Sequence, residues 1–209
     1  MIYLNVDVET TGTDPRRHAM ISLGAVAHAS DANWQRLGEF SQNLKVPEGL
    51  VWDPHTRAWW DSFPEALVKA LLAPSNPDWV MGAFCDWIEH LAETQKAAGL
   101  DSRVAMVAYP TTFDIGFIEA YASGFAPERW KDVNDAYKAR HGAVDLASLI
   151  MGFTGKGYHD NKKKSWPKEW THPELHHTHV AVEDAREQAY AFIQIMRAIE
   201  GRNDHNRGG

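Results

Sequence analysis

The sequence has one cysteine, Cys85, no long apolar run and no excess of positive charge. A single cysteine excludes an internal disulfide, and Cys85 reads most simply as a core residue. No stretch approaches the roughly 18 to 20 consecutive apolar residues of a membrane span, so the chain is not expected in a membrane. No charged-then-apolar leader precedes the first strand, which begins at residue 2, and the expected setting is the cytoplasm. Internal repeats and low-complexity tracts are missing as well. What is present is 209 residues, 44% hydrophobic and 23% charged, enough for one domain with a sizeable core. The expected organisation is a single domain over 1–200 and a tail over 201–209.

A net charge of -7 argues at first against a polyanionic partner. The average hides an asymmetry, because Arg129 to Lys168 carries nine Lys and Arg against four Asp and Glu, which leaves that segment at +5 and the remainder at -12. Its densest part, Lys162, Lys163 and Lys164, is read either as a track for a polyanion or as a solvated loop.

Ile2 to Glu9 is apolar and β-branched enough for a buried strand, and Thr10 to Pro15 is turn chemistry that ends it. Asp7 and Glu9, two apart, then project to one side at a strand end, where like charges repel unless a cation lies between them. Carboxylate oxygens suit magnesium and manganese; a solvated strand edge is the plainer reading. Ala19 to Ala29 and Trp34 to Val46 read as an antiparallel hairpin around Ser30 to Asn33. Asp53-Pro54 and Pro64 open short helices, Trp79 to Ala98 is a longer amphipathic one, and Val104 to Ala108 is a buried strand entered from that crossover. A helix capped by Thr111 or Thr112 follows and carries Asp114, a third acid at a strand-to-helix junction, where the helix dipole alone would also favour one. Asp145 is read as a helix cap. Gly152 to Thr178 shows little periodicity and is expected to be a long loop. The last helix is expected over about Ala181 to Glu200, ended by Gly201.

Ahead of that helix stand His176, His177 and His179. A zinc site is one reading of them, weakened by the lack of a cysteine pair or a regular ligand set. Asp184 is a fourth acid. Five residues before it, His179 falls about 140 degrees away on an ideal helix of 3.6 residues per turn, so it belongs to the segment before the helix and not to its face.

In order and spacing, Asp7-Val8-Glu9-Thr10-Thr11-Gly12, Phe113-Asp114 and His179-Val180-Ala181-Val182-Glu183-Asp184-Ala185 resemble the DEDDh family of 3'-5' exonucleases, over nearly the whole chain. The resemblance implies an α/β RNase H-like fold, with a central mixed sheet made of an antiparallel meander plus parallel strands. It implies hydrolysis of phosphodiester bonds from the 3' end of DNA or RNA, with release of nucleoside 5'-monophosphates. Asp7, Glu9, Asp114 and Asp184 would hold two Mg2+ or Mn2+ ions about 3.5 to 4 Å apart, and His179 would be the general base. Thr10, Thr11, Gly12, Phe113, Trp59, Trp60 and Lys162 to Lys164 are the expected substrate contacts, Trp59 and Trp60 either stacking on a terminal base or filling the core. The segment before Phe113, Ala108 to Thr112, departs from the small polar residues common in the family and puts substrate fit in question. The implied partner is nucleic acid with a single-stranded 3' end, and a second copy of the chain is a further candidate. Two other classes compete with the nuclease: a non-catalytic nucleic-acid-binding module on the same fold, and a zinc-dependent hydrolase or regulator using the histidines.

Overall fold

In the computed structural model, which describes residues 1–139 and 142–207, the chain is laid out around its first strand. That strand, β1 (Ile2–Thr10), is the centre of a five-stranded sheet of order β3-β2-β1-β4-β5. On one side β2 (Met20–Ala29) and β3 (Gln35–Asn43) form an antiparallel hairpin. On the other, β4 (Val104–Ala108) and β5 (Ala143–Asp145) add in parallel, which is the mixed sheet expected. The α-helices are α1 (Pro54–Trp60), α2 (Pro64–Ala70), α3 (Pro77–Ala97), α4 (Thr111–Phe125), α5 (Pro127–Tyr137), α6 (Leu146–Thr154) and α7 (Ala181–Arg207). Proline opens α1, α2, α3 and α5, where its missing N–H costs nothing and its fixed φ suits the first turn. Among the described residues no helix is long and apolar enough to cross a membrane.

Side-chain alternation along β1 divides the core. Ile2, Leu4, Val6 and Val8 pack with Phe84, Cys85 and Ile88 of α3 and Phe117 and Ile118 of α4. Tyr3, on the opposite face, joins Trp34, Val107, Phe192 and Ile195 under α7. With helices on both faces β2 is buried throughout and shows no polar alternation. Residues 5, 7 and 9 share the face of Tyr3, and this puts Asp7 and Glu9 on the α7 side of the sheet.

Helix α7 lies unusually close to β2. Ala185 and Ala189 pack on Val26, and one turn earlier Ala181 sits over Gly24. A Cβ on Gly24 would lie 2.3 Å from the Ala181 carbonyl carbon and from the Val182 nitrogen. Gly24 is paired with Asp7 across the ladder, so the contact that needs glycine lies beside the first acid.

Several expectations are corrected. α7 does not stop at Gly201 but continues through Arg207, and the last two residues of the expected tail lie outside the described residues. α4 has no side-chain cap from Thr111 or Thr112; the Thr111 N–H donates instead to Asp145 Oδ2 at 3.2 Å. Asp145 also caps α6, its Oδ1 accepting from Ser148 N at 2.7 Å, so one carboxylate serves two helix starts. α5 and β5 had no counterpart in the sequence reading. The loop after α6 contains three single turns of 3-10 helix and is pinned by buried Trp166, Trp170 and Asn161.

Substituting Gly24→Ala should cost about 1–3 kcal/mol by overpacking. At roughly 2–4 °C per kcal/mol for a chain of this size, the thermal midpoint falls measurably in calorimetry. An unchanged midpoint would contradict the helix-on-strand contact.

Candidate active site

The parallel pair β1–β4 ends at Asn5↔Val107, and beyond that point the two strands part. Backbone groups lose their ladder partners there and take side chains instead. Gln188 of α7 donates its amide to Val6 O at 3.2 Å and Val107 O at 2.9 Å, and Val8 N–H donates to Asp114 Oδ1 at 3.1 Å. The cleft thus opens at the C-terminal end of the parallel strands, where the connectivity changes direction, the usual place for function in open α/β sheets. It holds a cavity of about 250 Å³ lined by Asp7, Glu9, Asp114, His177, His179 and Asp184, with Thr10, Gly12, Trp59, Trp60, Tyr109 and Phe113 among its other walls.

Three elements bring the four acids together: the end of β1, the first turn of α4 and the first turn of α7. A β-bulge helps aim the first pair, since Glu9 faces Ser22 but Thr10 faces Met20, leaving Ile21 as the extra residue. Carboxylate oxygens of Asp7, Glu9 and Asp184 all lie within 4.8 Å of one another, a group able to hold a metal ion. Asp114 stands in the same cavity with one oxygen already committed to Val8.

Burial and mutual repulsion raise the proton affinity of this set. Asp7 is pushed well above the ordinary carboxylate range by burial first, then by the charges of Asp114, Glu9 and Asp184, with only the Lys163 ammonium opposing. Glu9 rises for the same reasons, burial followed by Asp184 and Asp114. Burial carries Asp114 to about 7 in spite of the Val8 N–H. Asp184 behaves differently. Burial disfavours its ionised form, yet it is held below its ordinary value by hydrogen bonds from His177 Nδ1 at 2.8 Å and Thr178 N at 2.7 Å. The backbone N–H of His179 adds a bond to Asp184 Oδ2 at 3.1 Å. Crowded, desolvated oxygens with almost no cationic partner are the donor set that hard divalent ions such as magnesium and manganese take.

His179 lies just before α7, as its spacing required, in the left-handed region at φ 58. Its ring meets Trp59 at 4.7 Å and Phe63 at 4.2 Å between centroids, both edge-on. Burial and then the neighbouring His177 lower its pKa, so the neutral imidazole is favoured.

The expected substrate contacts divide. Trp59 is 41% exposed at the cavity edge, whereas Trp60 is fully buried and donates Nε1–H to Thr10 O at 3.0 Å. Trp60 therefore belongs to the core and fastens α1 to the end of β1. Thr11 is also fully buried, its hydroxyl bonded to Val51 O and Ala19 N, and it has no face toward the cavity. Gly12 lines the wall, and glycine is needed there because a Cβ would lie 2.4 Å from the His18 ring. Phe113 also lines the wall. Of the three lysines only Lys163 turns inward, its Nζ 2.5 Å from Glu187 Oε2 and 3.4 Å from His177 Nδ1; Lys162 and Lys164 are exposed. Phe63 and Gln188 were not singled out in the sequence. Gln188 stands four residues after Asp184 on α7, and helical spacing is the signal that would have found it; Phe63 lies in the turn between α1 and α2, where no periodicity marks it.

The chain matches the 3'-5' exoribonuclease Rv2179c-like domain over residues 3–196. It belongs to that family and is a 3'-5' exonuclease. The exonuclease is 25% identical to the 3'-5' DNA exonuclease Cap18 of Escherichia coli over 200 residues, which cover 95% of this chain and 94% of that one. Its fold is that of the nuclease domain of 3'hExo, a DEDDh family member solved with rAMP: TM-score 0.62 at 11% identity, over 94% of this chain and 92% of that one. Exonuclease I of E. coli in complex with a dT13 oligonucleotide superposes with a TM-score of 0.60 at 14% identity, over 98% of this chain and 43% of that one.

Burial of the acids, with their mutual repulsion added, sets a pH dependence. Asp114 titrates at 3.8 when unfolded and at about 7 when folded, so between those values the folded chain binds the extra proton. Its effect in the chelated protein is a stability that declines as the pH rises through that window. Asp7→Asn deletes one of the repelling charges. Its thermal midpoint in EDTA should exceed that of the wild type, by more at pH 8 than at pH 5; equal midpoints at pH 8 would refute the repulsion.

Proposed function

We propose that the exonuclease is divalent-metal dependent and hydrolyses the terminal phosphodiester of single-stranded 3' ends, with Asp7, Glu9, Asp114, Asp184 and His179 as its working residues. The observation that carries this reading is the convergence of four acids from three elements on one cavity, with a neutral-leaning imidazole at its wall. Asp7, Glu9 and Asp184, with Asp114 beside them, are the residues that would hold two Mg2+ or Mn2+ ions. When bound, such ions supply positive charge against the phosphoryl oxygens and make water nucleophilic at neutral pH.

The chain's own residues do the rest. His179 accepts the proton of the attacking water, and its lowered pKa keeps it ready to do so. Trp59 and Phe63 hold the ring edge-on, so it approaches the acids from one side. Water attacks phosphorus in line, the bond to the 3'-oxygen of the preceding nucleotide breaks, that oxygen takes a proton from solvent to become the new 3'-hydroxyl, and a nucleoside 5'-monophosphate leaves.

Cavity size supports single strands. At about 250 Å³ it is small beside the usual ~300–1,000 Å³ of ligand pockets, which suits a single terminal residue better than a base pair. The exposed Trp59 ring offers any base a stacking face. Its substrate sugar is left open by its relatives, one described as an exoribonuclease and another as a DNA exonuclease. A binding module that had lost catalysis is disfavoured, because uncompensated acids weaken phosphate binding.

End-labelled single strands of DNA and RNA should shorten from the 3' end only with Mg2+ or Mn2+, and cleavage persisting in excess EDTA would defeat the proposal. Asp7→Asn and Asp114→Asn should abolish activity while remaining folded. His179→Ala should lower turnover by roughly 10²- to 10⁴-fold with cation affinity retained, as calorimetric titration can show. Trp59→Ala should slow both single strands, and a faster rate on blunt duplex than on either strand would count against the single-strand preference.

A further inference from the structure

Asp184 is shared by two groups of converging ligand atoms: one with Asp7 and Glu9, and a second with His177 and His179. The second has a different chemistry. We propose that His177, His179 and Asp184 form a separate site for a transition-metal dication that favours imidazole, zinc above all, and that filling it silences the nuclease by taking His179 as a ligand. The silencing clause rests on the role given to His179 above; the site itself does not.

The three ligand atoms lie within 4.8 Å of one another, and the two imidazole rings stand edge-on with centroids 4.3 Å apart. Zinc binds such nitrogen and oxygen donors at about 2.0–2.2 Å in a tetrahedron, which spaces them about 3.3–3.5 Å apart. The His177 Nδ1 to Asp184 Oδ2 contact of 2.8 Å has only to open slightly. His177 Nδ1 must then offer its lone pair where an N–H now donates, so its proton shifts to Nε2 or leaves to solvent. The His177 side chain is 45% exposed, giving the ion an entry path. Two imidazoles and one carboxylate leave a fourth position open, and this set ranks zinc above magnesium, which keeps to the all-oxygen group.

One neighbour opposes occupation. Lys163 Nζ lies 3.4 Å from His177 Nδ1 while paired to Glu187 Oε2, itself 3.8 Å from the same nitrogen. A dication repels that ammonium, so the lysine tunes the affinity of the site downward.

Co2+ serves as the visible reporter, because four- or five-coordinate nitrogen ligation gives it absorption that an oxygen-only octahedral site lacks. The full chain carrying Asp7→Asn, which weakens the acid group, should keep the cobalt band and a Zn2+ affinity near that of wild type in competition with a chromophoric chelator. His177→Gln should lose the band and bind Zn2+ about 100-fold more weakly or worse, at least the cost of losing an outer-sphere partner. Lys163→Met should bind Zn2+ more tightly than wild type. A band that survives His177→Gln but vanishes in Asp7→Asn places the ion at the acids and overturns the proposal, as does Lys163→Met binding no more tightly. Zn2+ added at fixed Mg2+ should inhibit wild type and inhibit His177→Gln much less; should the chain show no magnesium-dependent activity, the cobalt and zinc titrations still decide the site.

Discussion

Carboxylates that share a cavity shielded from water repel one another with an energy that grows as the local dielectric falls. Holding four of them together is the demand around which this molecule is arranged. Two hydrophobic clusters clamp β1 from opposite faces, so Asp7 and Glu9 cannot retreat by moving the strand. Val8 N–H fixes Asp114, and the segment from His177 to His179 wraps Asp184 in donors. The parting of β1 from β4 leaves the backbone groups that these side chains satisfy. Gln188, bridging the two strands past the split, keeps the opening from costing two orphaned carbonyls.

Much of this was legible in the sequence, for physical reasons that differ by element. The boundaries of β4 were plain because a short apolar run lay between polar neighbours, and the side to which Asp7 and Glu9 project follows from a period of two. α5 and β5 escaped because Pro127–Tyr137 is polar along most of its length and a three-residue edge strand carries almost no pattern. Gly201 reads as a stop, but no left-handed residue is needed there and the helix runs on. Adjacent tryptophans turn about 100 degrees apart on a helix, so Trp59 and Trp60 could not share an environment. Which one faces the core depends on the carbonyl of Thr10, contributed by a distant strand.

His179 is positioned by parts of the chain far from it in sequence. Trp59 from α1 and Phe63, just ahead of α2, reach across to its ring, while its own backbone amide is tied to α7 through Asp184. The loop that brings Lys163 inward is itself anchored under α7 by Trp166 and Trp170. Buried tryptophans at its base and a long side chain at its tip let this loop present charge to the cavity.

Asp145 sits on the edge strand β5, outside the cavity, yet one of its oxygens holds the opening turn of the helix that carries Asp114 and the other starts α6. In the language of recombination, residues 111, 145 and 148 form one inheritable block. A chimera of two relatives joined between α4 and β5 would take Asp114 from one parent and its supporting residue at 145 from the other, so the third acid keeps its place only where that second parent also supplies a carboxylate there.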